Sequence, residues 1–321
     1  MVKKDNVIVY ASDSNYVPHM AASMLSVMET NINESFSFLV LDNNIGKENQ
    51  MKILNLCMKY NREISFFNIN EYLNKIALNT SFNKTAFARL FIDDIVKKDK
   101  ALYLDCDTIV CDSLKPLFNL ELGDNMIAGV QDTVSLELRT VVGLKGDEEY
   151  INTGVLLLNL SLWRKNNIRE KFFKCIEEFN GNVPHNDQGV INSICHNNVC
   201  ILPARYNMQD TMIFYTVEEL KELFQMPSYY NSIHFNEDKK NPSIIHYTEA
   251  HYGRPWYGDS NHPYKQLYVV YRMKLKDFWD YENVKAPEIK RIKRKLKQFL
   301  YALLPFSIYK KLMFYRRKKG E

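Results

Sequence analysis

Residues 101–110 read Ala101-Leu102-Tyr103-Leu104-Asp105-Cys106-Asp107-Thr108-Ile109-Val110. Four apolar residues lead into two carboxylates, Asp105 and Asp107, one residue apart. Because the side chains of a strand alternate between its two faces, both carboxylates lie on one face and can hold one hard divalent cation. A cation there would neutralise a diphosphate. The alternative is that the two residues only end a strand and begin a turn.

The residues before this run alternate between strand and helix patterns. Apolar, β-branched strand patterns lie at 6–12, 36–42 and 63–69, and helical patterns lie between them at 18–29 and 48–60. This order predicts an α/β fold with a largely parallel sheet covered by helices. The first strand-to-helix turn, 11–16, contains no glycine. It therefore cannot be the glycine-rich cradle of dinucleotide-binding proteins, and a metal ion would have to supply the missing positive charge.

The strand and helix patterns continue after this run. Short apolar strand patterns lie at 126–132, 153–160, 199–202 and 243–247, and helical patterns lie at 168–179 and from about 183 to 195. The chain has 321 residues, of which 46% are hydrophobic, which is enough for one elaborated domain.

Charge is distributed unevenly along the chain. The whole sequence carries +4, but residues 285–321 contain thirteen Lys and Arg against two Glu, so this segment carries +11 and the remainder −7. An acidic body with a basic appendage does not indicate nucleic-acid binding by the body. We therefore expect a main domain at 1–284, a basic tail at 285–321 and no nucleic-acid partner.

The tail predicts a basic amphipathic helix. Its apolar residues share one helical stripe, formed by Ile289, Ile292, Leu296, Phe299, Leu300 and Leu303. Cations cover the rest, namely Lys290, Arg291, Lys293, Arg294, Lys295 and Lys297. Pro305 ends this helix and a second segment follows at 308–315. The pattern is typical of an interfacial helix on an anionic membrane, and the alternative is a terminal helix packed on its own domain.

The cellular compartment of the protein is predicted from its cysteines and from the first strand pattern. The six cysteines show no C-x-x-C spacing, which favours reduced thiols. The apolar run at 6–12 is too short for a signal peptide or a membrane span. We expect a cytoplasmic protein that is peripheral on the inner face of the cell membrane.

Six motifs resemble, in the same order, those of the retaining nucleotide-sugar glycosyltransferases of family eight, which include glycogenin and bacterial lipopolysaccharide galactosyl- and glucosyltransferases. They are IVYASDSNY at 8–16, FARL at 87–90, YLDCD at 103–107, NTGVLLLNL at 152–160, NDQ at 186–188 and IHY at 245–247. A lone Asp-x-Asp is weak evidence, whereas six motifs in order are specific.

The resemblance implies a GT-A fold, which is a single Rossmann-like α/β domain. It implies retaining transfer of a hexose, either glucose or galactose, from a UDP-sugar to a glycan or lipid-linked acceptor in cell-surface polysaccharide synthesis. It also implies a Mn²⁺ ion, with Mg²⁺ as a substitute, held by Asp105, Asp107 and His246. Two carboxylates and an imidazole leave octahedral positions for phosphate oxygens and water. His251 is close in sequence and is the alternative to His246.

The resemblance also assigns a nucleotide-sugar site to Ala11, Asp13, Asn15, Arg89, Asp105, Cys106, Asp107, Asp132, Asn152, Gly253 and Arg254. Asp13 and Asn15 match contacts to uracil and ribose, although both also suit capping of the next helix. Arg89 matches a residue that reaches the donor sugar or diphosphate, and its alternative is a surface salt bridge. Asp132 and Asn152 match hydrogen bonds to the hexose.

Asp187 and Gln188 match the catalytic pair beside the anomeric carbon. Retention requires either a covalent intermediate or front-face attack in which the leaving phosphate helps to deprotonate the acceptor. Because an amide is a poor nucleophile, we expect the second route, with Gln188 stabilising an oxocarbenium-like transition state and Asp187 orienting the sugar. The alternative for Asp187 is to cap its helix.

The segment after His246 departs from the common family pattern, His-Tyr-x-Gly-x-x-Lys-Pro-Trp. The run from His246 to Trp256 is two residues longer and has Arg254 where the pattern has the lysine that binds the diphosphate. An arginine can bind phosphate through two hydrogen bonds, so the charge is kept.

Two other functional classes match part of the sequence. The run from Asp105 to Thr108 also fits the D-x-D-x-T motif of haloacid-dehalogenase-type phosphatases, in which Asp105 would be phosphorylated. That family opens with its motif and needs a later Asp-Asp pair, which does not follow Asp107. The other class is an inactive membrane-bound sugar-nucleotide binder, and the intact Asp187 and Gln188 argue against it. The sequence leaves the hexose and the acceptor open.

Overall fold

The computed structural model describes residues 6–281 and 284–318. Its strands are β1 (Asn6–Asp13), β2 (Phe36–Asn43), β3 (Ile64–Asn68), β4 (Lys100–Leu104), β5 (Thr108–Val110), β6 (Ile127–Gln131), β7 (Ile151–Asn159), β8 (Val199–Ile201), β9 (Met208–Gln209) and β10 (Ile244–His246). Its 3-10 helices are Lys84–Phe91 and Ala204–Asn207.

The α-helices are α1 (Val17–Thr30), α2 (Lys47–Lys59), α3 (Asn70–Leu73), α4 (Ile92–Ile95), α5 (Lys115–Asn119), α6 (Leu136–Val141), α7 (Leu160–Lys165), α8 (Ile168–Glu178), α9 (Asn186–Cys195), α10 (Asp210–Phe214), α11 (Val217–Phe224), α12 (Ser232–Lys240), α13 (Lys265–Lys274), α14 (Glu288–Leu303) and α15 (Phe306–Lys318).

The main sheet runs in the order β3-β2-β1-β4-β7-β6-β8 within the described ranges. β3, β2, β1 and β4 are parallel neighbours, and β6 is parallel to β8. β7 is antiparallel to both β4 and β6. The predicted α/β fold with a mostly parallel central sheet is therefore confirmed, with β7 as its antiparallel member.

Helices cover both faces of this sheet, as the continuous apolar runs predict. Ile8 and Tyr10 of β1 belong to the core that also holds the buried side of α1. Val7 and Val9, which point to the opposite face, belong to a second core that includes Phe172 of α8. The alternation of side chains along one strand thus builds two hydrophobic layers.

A smaller sheet, in the order β5-β10-β9, lies beside the main one. The apolar run predicted at 243–247 becomes β10 of this sheet, which pairs antiparallel with β5 and parallel with β9. The register places His246 opposite Thr108. This sheet therefore brings a histidine from late in the chain next to the carboxylates that follow β4.

The tail helix α14 packs on the body through its polar face. Lys290 Nζ lies 3.0 Å from Glu249 Oε2, and Arg294 Nη2 lies 2.7 Å from Asp259 Oδ2. Gln298 Nε2 donates to the carbonyl of His251 at 2.8 Å. The packed helix was the alternative expectation for the tail, but the face that packs is not the apolar one.

The apolar stripe of α14 faces away from the body. The exposed fractions of Ile289, Phe299 and Leu303 are 70%, 59% and 65%. Ile292 and Leu296 are also exposed, whereas Leu300 packs partly against the core. None of the described helices combines the length and the apolar character that crossing a bilayer requires.

Candidate active site

The predicted site residues meet at one edge of the main sheet. Asp13 ends β1, Asp105 follows β4 and Asp132 follows β6, all at the carboxyl ends of strands with a common direction. Asn152 lies near the start of β7, which runs the other way and therefore reaches the same edge. Open α/β sheets bind their ligands at this edge.

The carboxylates of Asp105 and Asp107 and the imidazole of His246 offer ligand atoms that all lie within 4.8 Å of one another. His246 Nε2 is 3.2 Å from Asp107 Oδ1 and 3.8 Å from Asp105 Oδ2. Two carboxylates and one imidazole are a donor set that suits Mn²⁺ and accepts Mg²⁺. The residues present therefore fit a divalent cation, and we call Asp105, Asp107 and His246 the metal cluster.

Two neighbours fix the orientation of the His246 ring. Its Nδ1 lies 2.9 Å from Asn207 Oδ1, so Nδ1–H donates to the amide oxygen and Nε2 is directed at the carboxylates. Gly154 supplies the space under the ring, because a Cβ atom there would collide with His246 and would lie 2.8 Å from Asp105 Oδ2. The backbone of Gly154 also accepts the amide of Asp105 at 2.7 Å.

His251 lies elsewhere. It is buried and stacks on Phe214 with ring centroids 4.5 Å apart, on the side of the body that α14 covers. Burial lowers the pKa of His251 well below its usual value, and neither ring nitrogen has a hydrogen-bond partner. Of the two candidate histidines, the structure places only His246 beside Asp105 and Asp107.

Arg254 pairs with Asp107 and also donates to the carbonyl of Tyr247. Burial favours the neutral form of Asp107, but Arg254 and His246 outweigh it and hold the pKa of this carboxyl well below its usual range. Burial likewise disfavours a charged His246, but Asp107 and Asp105 raise its pKa. The cluster thus keeps Asp107 ionised, as a metal ligand must be.

Arg89, from the 3-10 helix Lys84–Phe91, is buried and joins two carboxylates of the site. Its Nη2 donates to Asp105 Oδ1 at 2.8 Å, and its Nε lies 3.1 Å from Asp187 Oδ2. Its Nη1 donates to the carbonyl of Thr153 at 2.6 Å. The alternative expected for Arg89 was a surface salt bridge, but the observed pairs are buried and link Asp105 to α9.

Asp187 and Gln188 occupy the first turn of α9, where neither caps the helix because His185 is the N-cap residue. Gln188 Nε2 donates to Asp132 Oδ2 at 2.7 Å, and its Oε1 accepts the amide of Thr153 at 3.1 Å. Asn152 Nδ2 donates to the same Asp132 oxygen at 3.1 Å. Burial raises the pKa of Asp187 in spite of Arg89.

A cavity of about 310 Å³ opens over the metal cluster. Its wall includes Ala11, Asp13, Arg89, Cys106 and Arg254, together with the three candidate metal ligands. Cys106 turns its thiol away to donate to the carbonyl of Ala11 at 3.1 Å.

Several predicted residues do not line this cavity, namely Asn15, Asp132, Asn152, Asp187, Gln188 and Gly253. Asn15 is exposed and donates through its backbone to Asp13 Oδ1 at 2.9 Å. Asp13 also accepts from Asn83 Nδ2 at 2.7 Å, so it shapes the turn after β1 without capping α1 directly. Gly253 does not line the cavity and lies under Arg294 of α14.

Sequence reasoning missed Asn207 and the role of Gly154. Asn207 immediately precedes β9, which has only two residues, and no motif marks it. It also donates to Asn152 Oδ1 at 2.8 Å, so it connects the histidine to the Asp132 network. Gly154 lies inside a motif quoted above, and the available signal was a glycine within an apolar strand pattern, which often marks a close approach of another group.

The sequence of this chain is similar to those of known glycosyltransferases and of related proteins. A model of glycosyl transferase family 8 matches residues 7–259. General stress protein A of Bacillus subtilis is 27% identical over 84% of this chain and 94% of its own length. A lipopolysaccharide 1,2-glucosyltransferase of Escherichia coli is 28% identical over 79% of this chain and 74% of its own.

Solved structures agree with this match. The galactosyltransferase LgtC, in complex with donor and acceptor sugar analogs, superposes with a TM-score of 0.70 and 25% identity, over 89% of this chain and 99% of LgtC. With the site at the carboxyl edge of a GT-A sheet, the phosphatase alternative for Asp105 is set aside. The family model covers the sheet, the metal cluster and α9 together, and this chain belongs to glycosyltransferase family 8.

Proposed function

We propose that this glycosyltransferase moves a hexose, glucose or galactose, from a UDP-sugar to a glycan or lipid-linked acceptor in cell-surface polysaccharide synthesis. The observation that carries the proposal is that Arg89 links Asp105 to Asp187. It supports the proposal because the residues proposed for the diphosphate and those proposed for the sugar are neighbours. The names of the Escherichia coli glucosyltransferase and of LgtC support a hexose donor.

Asp105, Asp107 and His246 would hold Mn²⁺ or Mg²⁺, which supplies positive charge to the diphosphate when it is bound. Arg254, on the wall of the same cavity, adds a second positive group on that side. Ala11, Asp13, Asn15 and Cys106 surround the nucleoside end. Gly253 acts by letting the segment that carries Arg254 pass close to α14.

Asp132, Asn152, Asp187 and Gln188 surround the hexose in this proposal. The carboxamide of Gln188 is held at both ends, so its oxygen has a fixed direction as positive charge develops on the sugar ring. Because a carboxamide is a poor nucleophile, the acceptor attacks from the face of the leaving phosphate, which takes its proton. The anomeric configuration is then retained.

The test is a screen of UDP-sugars for Mn²⁺-dependent hydrolysis and transfer, with proton NMR of the first product. We expect UDP-glucose or UDP-galactose to react, an α-linked product, and loss of UDP affinity in EDTA. Asp107→Asn should abolish turnover, whereas the control Asp124→Asn, at an exposed carboxylate away from the cavity, should not. A β-linked product, or unchanged UDP affinity in EDTA, would contradict the proposal, and binding without turnover would favour the inactive binder.

We further propose that residues 1–284 form the catalytic domain and that the tail, 285–321, holds it on the inner face of the cell membrane. Residues 319–321 of this tail lie outside those the structure describes. The exposed apolar stripe of α14 supports the proposal, since cations of Lys293 and Lys295 flank it. The protein would then be cytoplasmic and peripheral.

A further inference from the structure

A second cavity, of about 460 Å³, lies between α14, α15 and the loop 248–250. We call it the cationic groove. Its wall contains six cations, Lys290, Lys293, Arg294, Lys297, Arg316 and Arg317, and one carboxylate, Glu249. Apolar side chains such as Phe224 and Met313 form part of the floor.

Only some of these cations have a carboxylate partner. Glu249 pairs with Lys290, and Asp259 pairs with Arg294. Among residues 6–281 and 284–317, no carboxylate oxygen lies within 4.0 Å of the charged groups of Lys293, Lys297, Arg316 or Arg317. Glu137 and Asp210 attract Arg317 and Lys297, respectively, from beyond that distance. Among the described residues, the wall of the groove still has more positive than negative side chains.

The charged form of Lys297 is disfavoured in this arrangement. The side chain is half-buried, and its Nζ has one weak hydrogen bond, to the carbonyl of Ala250 at 3.5 Å. Burial, with repulsion from Arg317 and Arg316, lowers the pKa of Lys297 to about 8. Like charges that are close together and partly shielded from water are unfavourable unless a counter-charge is present, and an anion in the groove would supply one.

The cationic groove is continuous with the sugar end of the active site. A cleft of about 400 Å³ is lined by Asp132, Asn152 and His185 at one end. At the other end it shares Phe224, Thr248, Ala250 and Arg317 with the groove. Thr248 also lines the cavity over the metal cluster. A molecule whose hydroxyl reaches Asp132 can therefore extend past Thr248 to the cations.

We propose that the cationic groove binds a phosphate or diphosphate group of the acceptor. The inference rests on the proposed function, because it names the acceptor class of that same site. The glycan end of the acceptor lies in the cleft at Asp132, and its phosphate lies among Lys293, Lys297, Arg316 and Arg317. A lipid attached to that phosphate leaves the groove beside the exposed apolar stripe of α14. The acceptor is thus a glycan joined to a lipid through phosphate.

Geranyl diphosphate, a short isoprenyl diphosphate, is the binding probe, and geraniol is its uncharged counterpart. Binding is measured by calorimetry with EDTA present, so that no divalent ion favours the donor site. The test variant is Lys293→Gln with Arg316→Gln. The matched control is Lys295→Gln with Lys311→Gln, which removes the same charge from the same two helices at exposed positions outside the groove.

We expect the groove variant to bind geranyl diphosphate about tenfold or more weakly, and the control to stay within about twofold of the wild type, because only the groove variant loses charge-assisted hydrogen bonds. Geraniol should bind far more weakly, and UDP should not displace the probe. Equal losses in both variants, equal binding of geraniol, or displacement by UDP would overturn the inference.

A membrane headgroup offers the same phosphate chemistry, so phosphatidylglycerol vesicles form a second arm. If the groove variant loses vesicle binding while its affinity for geranyl diphosphate is unchanged, the cations serve the membrane and the inference is wrong. Hydrolysis of UDP-hexose by the wild type is measured in the same preparation. Absent hydrolysis with groove-dependent probe binding would overturn the proposed function but leave the anion site, and the reverse result would overturn only the anion site.

Discussion

Arg294 of α14 lies so close over Gly253 that a Cβ atom on this glycine would collide with its guanidinium. The arginine passes over the glycine to reach Asp259, at 2.7 Å. Gly253 has φ of +80°, a left-handed conformation that glycine adopts without strain. The tail thus directly contacts the segment that carries Arg254.

Gly253→Ala should therefore weaken the donor site as well as the fold. Gly46→Ala is the matched control, because Gly46 has φ of +85° and nothing within 4 Å of its Cβ position. Both variants add about 1–3 kcal/mol of backbone strain, because both glycines have a positive φ. Only Gly253→Ala should also displace Arg294 and lower UDP affinity in Mn²⁺, measured by calorimetry. Equal UDP affinity in both variants would show that the contact does not support the site.

Asn207→Ala should weaken Mn²⁺ binding by about 10- to 100-fold, as loss of a residue that orients a metal ligand usually does. The reason is that Asn207 Oδ1 fixes the tautomer and direction of His246 at 2.9 Å. His251→Gln is the control and should leave Mn²⁺ affinity unchanged. Titration with Mn²⁺ followed by electron paramagnetic resonance measures both. The opposite result would assign the metal to His251.

Lys297→Met should stabilise the protein at pH 7 and change how its stability depends on pH. The pKa of Lys297 is lowered to about 8 from 10.5. Between these values the unfolded chain holds the proton and the folded chain does not, so the free energy of unfolding rises with pH. The variant lacks this rise. Urea unfolding at several pH values, in buffer without phosphate, measures the difference.

The control for that measurement is Lys295→Met, at an exposed position of the same helix. It should keep the wild-type pH dependence. Parallel curves for the wild type and Lys297→Met from pH 8 to 10 would contradict the lowered pKa of Lys297.

Ile292→Ser with Phe299→Ser should reduce co-sedimentation with phosphatidylglycerol vesicles by about tenfold or more, since two apolar side chains no longer leave water on binding. These side chains are 55% and 59% exposed. The control, Met58→Ser with Ile233→Ser, changes residues that are 63% and 69% exposed elsewhere on the body. Added salt should weaken the binding of the wild type further.

Gel filtration of the same proteins separates membrane binding from self-association. If the wild type is a dimer, Ile292→Ser with Phe299→Ser is a monomer, and neither binds vesicles, then the stripe joins two copies and the membrane proposal is wrong.

The first half of the fold could be predicted because its elements are local. Apolar strands and helices alternate from Asn6 to Asn68, and crossovers through a helix make such strands parallel. The direction of β7 could not be predicted in this way, since an apolar run such as 153–160 reads the same in either direction. Nor could the partner of β10, which is β5 more than a hundred residues earlier.

The candidate site, like the fold, could be predicted only where its residues belong to local sequence patterns. The metal ligands and the Asp187–Gln188 pair were found through motifs, whereas Asn207 was not, because its role depends on how β9 and β10 pair. In the tail, the periodicity correctly separates two faces of α14. Which face packs depends on Glu249, Asp259 and the carbonyl of His251, and no pattern within the helix contains that information.

The longer segment between His246 and Trp256 has a consequence for how such enzymes diversify. Within it, α14 contacts Glu249, the carbonyls of Ala250 and His251, and Gly253. A tail and this loop must therefore change together in evolution. Grafting residues 285–321 onto a relative with the shorter loop would transfer an apolar stripe without the loop groups that hold α14 in place. Exchanging the loop and the tail as a pair would transfer the stripe together with those groups.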